Sequence, residues 1–173
     1  MNIKLSDKQC NYALKLAINR HNAKDISFRN TNIDNFHNQA KEDLSAQFKV
    51  DYQYMPHFIG VVGELAWSLF TGEKIDENIY PVRDNGYDFK NVEVKTITYN
   101  GPGEPELKIP VAEYEKRTPP ACYVLTKLDF NKMEVSILGT ITRENFDSLK
   151  KRKRYGDYKP YNYVVPLCVM DVF

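Results

Sequence analysis

The chain has 173 residues and a net charge of +1, with 24 Lys and Arg against 23 Asp and Glu. This length suits one domain with a sizeable core and is short for two. The near balance of charge excludes the strongly basic profile of a non-specific nucleic-acid coat, so only a local positive patch is expected.

The first predicted element is a helix that begins after Ser6. Ser6 reads as its N-cap, with Gln9 at the third helical position, and the apolar side that follows ends near His21-Asn22. Residues 23–34 are polar and rich in Asn, which predicts a loop. Residues 36–48 are predicted to form a second, more polar helix.

A stronger helical pattern begins at Pro56. Apolar residues recur at helical spacing up to Phe70, and Thr71-Gly72 ends the element. Glu64 lies on a neighbouring side of this helix, in a groove that we expect to be floored by Gly60 and Gly63. There its carboxylate can reach an adjacent strand. The alternative is that the glycines only allow close helix–sheet packing while Glu64 is solvated.

Short extended segments follow this helix. Asn85-Gly86 is a turn signal, and Gly and Pro residues predict a loop over 100–105. Thr142 is the predicted N-cap of a further helix, with Glu144 in its first turn. Lys150–Arg154 are expected at the end of that helix, and the aromatic tail over 155–173 is expected to add one extended segment. The predicted strands are 79–82, 87–89, 92–99, 107–111, 122–128 and 134–141, with a single helical turn over 112–117.

These elements predict an α/β protein with a mixed central sheet flanked by helices. We expect one domain, residues 1–173. Within it, residues 1–55 form a helical N-terminal part, residues 56–141 form the core, and residues 142–173 form a C-terminal helix and tail.

The segment from Asp88 to Lys95 carries the most informative charges. Side chains alternate along a strand, so Glu93 and Lys95 point the same way. If Lys90 and Asn91 form a two-residue hairpin loop, Asp88 lies opposite Glu93 with Cβ atoms about 4.5–5.5 Å apart. Two carboxylates at one spot favour a raised pKa or a bound cation. Carboxylate oxygens suit Mg²⁺ or Mn²⁺, and the Lys95 ammonium is placed to hold or deprotonate the attacking water and to stabilise charge that develops on the phosphate.

A helix with an inward Glu64, then Tyr-Asp-Phe, then Val-Glu-Val-Lys-Thr resembles the PD-(D/E)XK nuclease superfamily. This resemblance implies a restriction-endonuclease-like core, with Asp88 and Glu93 as metal ligands and Lys95 as the catalytic lysine. It also implies Glu64 as an auxiliary ligand. Tyr87 stands where the name of the motif has Pro. The implied activity is Mg²⁺-dependent phosphodiester hydrolysis, with DNA favoured over RNA.

A run of basic residues over 150–154 precedes several tyrosines. Lys and Arg neutralise phosphates and Tyr rings stack on unpaired bases, so this run is the candidate nucleic-acid patch outside the site. The alternative is a solvated helix end. The candidate nucleic-acid-binding residues are Lys108, Lys150, Lys151, Arg152, Lys153 and Arg154.

Two other functional readings stay open. One is a catalytically inactive nucleic-acid-binding or assembly protein with the same fold, and the other is a purely structural domain with Glu93 and Lys95 exposed. The oligomeric state is open too, with a homodimer as one option.

The cysteines and the hydropathy of the sequence indicate the cellular compartment. Cys10, Cys122 and Cys168 are widely spaced and match no zinc motif, which is typical of reduced cysteines in a cytoplasmic protein. The polar amino terminus lacks an apolar signal segment, and no apolar run approaches membrane-spanning length. We therefore expect a soluble, cytoplasmic protein without a membrane partner.

Overall fold

The structure is a computed structural model that describes residues 1–23, 52–80, 87–98, 103–157 and 159–173. The predicted helix over 36–48 and the Asn85-Gly86 turn lie outside the described residues, as do most of the loop predicted over 23–34 and residues 100–102 of the later loop.

The described chain begins with β1 (Asn2–Lys4) and α1 (Asp7–Ala23). The backbone N–H of Ser6 donates to Gln9 Oε1 at 2.8 Å, and the N–H of Gln9 donates to Ser6 Oγ at 3.4 Å. Each side chain satisfies a backbone donor that the first helical turn leaves unpaired. The predicted capping box is confirmed, whereas β1 was not expected from the sequence.

A 3₁₀ turn (Tyr52–Tyr54) leads into α2 (Met55–Thr71). The helix ends at Gly72, whose φ of 78° is left-handed and whose N–H donates to Ser68 O at 2.8 Å. This confirms the helix predicted from Pro56. Its apolar side packs against α1 in a shared core that contains Ala13, Leu16, Ala17, Met55, Phe58, Ile59, Val61, Val62, Leu65 and Ala66.

A mixed sheet lies beneath α2. Its strands are β2 (Val92–Ile97), β4 (Cys122–Asp129), β5 (Glu134–Thr142) and β8 (Asp171–Val172), together with β1. The order is β1-β5-β4-β2, with β8 also paired to β5. Strands β2 and β4 are parallel, whereas β4–β5, β1–β5 and β5–β8 are antiparallel. The expected α/β class with a mixed sheet is confirmed, and β2 ends the order on its side.

A second, antiparallel sheet covers the other face of the first. It contains β3 (Glu106–Pro110), β6 (Lys151–Lys153) and β7 (Asn162–Pro166), in the order β3-β7-β6. Side chains from both sheets form one buried cluster, which includes Leu107, Ile109, Tyr123, Leu125, Ile141 and Val165. The sequence did not indicate that these strands would form a separate sheet.

Two short helices connect the sheets. The first, α3 (Val111–Tyr114), covers the beginning of the helical turn predicted over 112–117. The second, α4 (Arg143–Leu149), begins as predicted, because Thr142 Oγ1 accepts from the backbone N–H of Asn145 at 3.3 Å. No helix among the described residues is long and apolar enough to cross a membrane.

Three details of the predicted elements were wrong. The basic run does not end a helix: α4 stops at Leu149, and Lys151–Lys153 form β6 because they pair with β7. Of the strand predicted over 79–82, residues 79 and 80 are not in a strand, and residues 81 and 82 lie outside the described residues. The tail adds two strands, β7 and β8, where one extended segment was expected.

Candidate functional site

The site is built around a tight hairpin before β2. Phe89 and Val92 form an antiparallel bridge, with N···O distances of 3.1 and 3.3 Å between their backbones. Asn91 has a φ of 61°, a left-handed conformation that Asn tolerates better than most residues. The predicted Lys90-Asn91 loop is therefore confirmed. Asp88 precedes it, and its Oδ2 accepts the backbone N–H of Val94 at 2.7 Å, so this carboxylate lies alongside β2.

Glu93 and Lys95 lie on one face of β2, as their alternation predicts. Lys95 Nζ is 2.6 Å from Glu93 Oε1, and Glu93 is buried. A second carboxylate, Glu113 of α3, lies 3.6 Å from the same ammonium and 3.2 Å from Arg117 Nη1. Glu113 was missed by the sequence analysis, because nothing in its local spacing indicates that α3 returns to this strand.

Glu64 approaches the same end of the sheet from α2. It is 5% exposed, so the alternative in which it is solvated is wrong. Its Oε1 lies 2.7 Å from Arg20 Nη1 of α1, and the other terminal nitrogen of Arg20 donates to Asp76 O at 2.7 Å. Glu64 Oε2 is buried and has no hydrogen-bond partner at normal distance among the described residues, but the Asp88 carboxyl is close enough to lower the pKa of Glu64. Arg20 was also missed, because an Arg in the last turn of a helix is common without any site.

Gly63 explains how Glu64 comes so close to the strands. A Cβ at Gly63 would lie 1.8 Å from Thr96 Oγ1 and 2.7 Å from Thr126 Oγ1, so only glycine allows this approach of α2 to β2 and β4. A Cβ at Gly60 would meet no atom within 4 Å. Gly63 therefore allows close helix–sheet packing, as the alternative reading of the glycines proposed, whereas the groove expected at Gly60 and Gly63 stays a prediction.

The acidic side chains shift one another's protonation. Burial, followed by the nearby Glu64 carboxylate, raises the pKa of Asp88 to about 8. Burial also raises the pKa of Glu93 to about 7, with contributions from Asp88 and Glu113 that Lys95 partly opposes. The pKa of Glu64 is raised as well, mainly by burial and despite Arg20. Burial is thus the main cause of all three raised pKa values, and the carboxyl groups also interact with one another.

Lys95 responds in the opposite sense. Burial alone would lower the pKa of its ammonium, but Glu93 and Glu113 outweigh burial and raise that pKa above its ordinary value. Lys95 is thus protonated throughout the neutral range. In this arrangement it acts as a hydrogen-bond donor and a fixed positive charge.

The donor atoms fit a hard divalent cation in chemistry and charge. Carboxylate oxygens suit Mg²⁺ or Mn²⁺, and the buried Glu64 Oε2 is an available ligand atom. Among the described residues, however, no group of three or more His, Cys, Asp and Glu has the arrangement of a metal site. Instead Glu64 is paired with Arg20, Asp88 with a backbone N–H, and Glu93 with Lys95.

Three of the predicted nucleic-acid-binding residues have acidic partners. Lys150 pairs with Asp147. Lys153 and Lys108 both approach Glu106, at 2.6 and 3.7 Å. These carboxylates reduce the charge that the three lysines can offer to a phosphate.

The other three predicted basic residues differ from these. Lys151 is exposed, and Arg152 and Arg154 lie over the Tyr161 ring with centroid distances of 4.2 and 5.4 Å. None of them forms an ion pair with a described carboxylate. The basic run is therefore divided into neutralised and available charges.

A cleft of about 630 Å³ opens beside the hairpin tip, and Glu64 and Glu93 do not line it. Neither Asp88 nor Lys95 lines it. Its lining residues are Tyr87, Asn91, Thr118, Pro119, Pro120, Ala121, Thr142, Arg143, Glu144 and Asp147.

Comparison with known proteins gives no relative for this chain. No family model, no curated protein and no solved structure matches it. The resemblance to the PD-(D/E)XK nucleases therefore stays a prediction from the residues.

Proposed function

We propose that this protein is a divalent-metal-dependent nuclease that hydrolyses phosphodiester bonds, with DNA favoured over RNA. Asp88, Glu93 and Glu64 are its proposed metal ligands, and Lys95 is its proposed catalytic lysine. The observation that carries the proposal is the gathering of these three carboxyl groups, all with raised pKa values, beside one ammonium at the outer strand of the sheet.

A restriction-endonuclease-like core is part of the same proposal. It is supported by the order of the parts: a helix that brings Glu64 to the sheet, a hairpin that carries Asp88, and a strand that carries Glu93 and Lys95. The close approach at Gly63 supports it too, since it places the helix and the strand in direct contact.

The proposed chemistry divides between the ion and the protein. A bound Mg²⁺ or Mn²⁺ would polarise a phosphoryl oxygen and lower the pKa of a bound water. Lys95 has a raised pKa, so it is proposed to donate hydrogen bonds and not to remove a proton. From its position beside Glu93 it can orient a water or stabilise negative charge on a phosphate oxygen. Glu113 and Glu93 together limit where the ammonium can move.

A second candidate function is a nucleic-acid-binding protein without catalysis. The observation that favours it is the pairing of Glu64 with Arg20 and of Glu93 with Lys95, without any metal arrangement among the described residues. In that case the ion pairs of Glu64 and Glu93 stabilise the packing of α2 against β2, and the basic strand β6 alone contacts nucleic acid.

The test is cleavage of plasmid, linear duplex and single-stranded DNA in the presence of Mg²⁺ or Mn²⁺. The proposal predicts cleavage that EDTA stops and that Lys95→Ala lowers by at least about 100-fold, the usual effect of removing one positioned donor that stabilises transition-state charge. Lys90→Ala is the matched control, because Lys90 is exposed in the same hairpin and should leave the rate unchanged. Circular dichroism must show that both variants are folded.

Two results would count against catalysis at this site. Cleavage that survives both Asp88→Ala and Lys95→Ala would place the activity elsewhere. Salt-sensitive DNA binding without turnover under any divalent cation would favour the second candidate function.

A further inference from the structure

The β6–β7 hairpin carries an exposed, basic surface. Its strands pair Lys151 with Val164, Arg152 with Tyr163 and Lys153 with Asn162. The described residues from 151 to 161 are exposed, and β6 is the last strand of its sheet. This segment is therefore a solvated, basic edge that belongs to neither of the two packed faces of the core.

Charge is distributed unevenly along this hairpin. Lys150 and Lys153 lie against carboxylates, whereas Lys151, Arg152 and Arg154 have none among the described residues. Arg154 is also held in place, because its Nε donates to Lys159 O at 2.8 Å. Two guanidinium groups are thus presented in fixed positions with their charge uncompensated, which suits a phosphodiester backbone.

An aromatic ring accompanies the two arginines. Tyr161 is 43% exposed, and the guanidinium carbons of Arg152 and Arg154 lie 4.2 and 5.4 Å from its centroid. Exposed aromatic rings beside Arg are the usual stacking platforms for unpaired bases, whereas a duplex keeps its bases stacked inside. The two arginines and the exposed Tyr161 ring together favour single-stranded nucleic acid over a duplex.

Contacts through α3 place this hairpin next to the candidate site. Glu113 of α3 lies 3.6 Å from Lys95 Nζ, and the neighbouring Tyr114 ring lies 4.3 Å from Lys150 Nζ, where the basic run begins. Tyr163 of β7 also donates to Glu115 at 3.1 Å. The hairpin and the candidate site are therefore joined through α3.

We propose that Lys151, Arg152, Arg154 and Tyr161 form the surface that holds a single-stranded segment of the nucleic-acid substrate. This inference rests on the proposed function for the choice of partner. It assigns Lys108, Lys150 and Lys153 to the structure of the second sheet, with no direct role in binding.

The experiment measures binding by fluorescence anisotropy in EDTA, using a labelled 20-nucleotide oligothymidine and a duplex of the same length. The native chain is expected to bind the single strand more tightly than the duplex. The double variant Arg152→Gln/Arg154→Gln is expected to lower the slope of log affinity against log salt by about 1.4, since each phosphate contact on a single strand contributes about 0.7. The matched control, Lys150→Gln/Lys153→Gln, removes the same charge and should stay within about twofold of the native affinity, because Asp147 and Glu106 each pair with one of these lysines.

A second pair of variants tests stacking. Tyr161→Leu is expected to weaken binding of the single strand about tenfold, and Tyr161→Phe to retain it. The inference is overturned if the double arginine variant binds like the native chain, if both double variants lose affinity equally, or if the duplex binds as tightly as the single strand.

The outcome is separable from the proposed function. Cleavage that depends on Lys95 without this dependence on arginine would overturn only the present inference. Arginine-dependent binding without any cleavage would overturn only the nuclease assignment.

Discussion

Arg20 offers a quantitative test of how the candidate site is held together. Its guanidinium lies 2.7 Å from Glu64 Oε1 and 2.7 Å from Asp76 O. The two side chains of the ion pair are 19% and 6% exposed, so the pair is mostly shielded from water. Replacing Arg20 by Met keeps the volume of the side chain but leaves Glu64 without its cation, beside the other carboxylates.

Breaking a buried ion pair by removing one partner costs about 3–5 kcal/mol. We expect the lower end, about 3 kcal/mol, because Arg20 is partly exposed and because Glu64, whose pKa is already raised, can take up a proton. The deficit should shrink as the pH falls to 5, since protonation of Glu64 removes the uncompensated charge.

The assay is urea unfolding in EDTA for the native chain, Arg20→Met, Glu64→Met and the double variant. Removing both charges should restore the free energy of unfolding to within about 1 kcal/mol of the native value. Tyr12→Phe is the control, because it removes another contact of α1, the 2.5 Å hydrogen bond to Glu77 Oε1, at an exposed position. A loss below about 1 kcal/mol for Arg20→Met, or strictly additive effects in the double variant, would refute the reasoning.

Three further changes test the packing and electrostatics of the site. Gly63→Ala places a Cβ 1.8 Å from Thr96 Oγ1, so it should lower the free energy of unfolding by about 3 kcal/mol. An unchanged denaturant midpoint would contradict the close approach of α2 to the strands. Asn91→Val forces a β-branched residue into a left-handed φ of 61°, so it should lower the free energy of unfolding by about 1–2 kcal/mol in the same denaturant assay. An unchanged free energy of unfolding would argue against the hairpin geometry. In EDTA the raised pKa values of Asp88 and Glu93, about 8 and about 7, favour the folded state at acidic pH, and this contribution is lost as the pH rises through them. The melting temperature should therefore fall between pH 5 and pH 9, and Asp88→Asn/Glu93→Gln should flatten that fall, whereas a rise with pH in the native chain would contradict the raised values.

Local patterns predicted the parts of the site that depend on local geometry. Strand alternation placed Glu93 and Lys95 on one face, and the tolerance of Asn91 for a left-handed conformation indicated the hairpin. The helical spacing from Pro56 likewise identified α2 and its acidic residue, Glu64. In each case one segment of the chain contains both the signal and the structure.

Contacts between distant segments were not predictable in this way. Arg20 and Glu64 are 44 positions apart, and Glu113 meets Lys95 only because the second sheet folds back over the first. In the basic run over 150–154, pairing between strands outweighs the local preference of the sequence. Basic residues after a helical pattern favour a helix end, but pairing with β7 makes Lys151–Lys153 a strand.

The most direct test of the account is a titration with Mn²⁺, in which electron paramagnetic resonance reports the free ion. The native chain is expected to take up Mn²⁺ saturably, and Asp88→Asn is expected to lose that uptake. Lys90→Ala, which changes only the exposed loop of the same hairpin, should keep the native uptake. No saturable uptake by the native chain, or equal uptake by Asp88→Asn, would contradict the claim that these carboxylates hold a divalent cation.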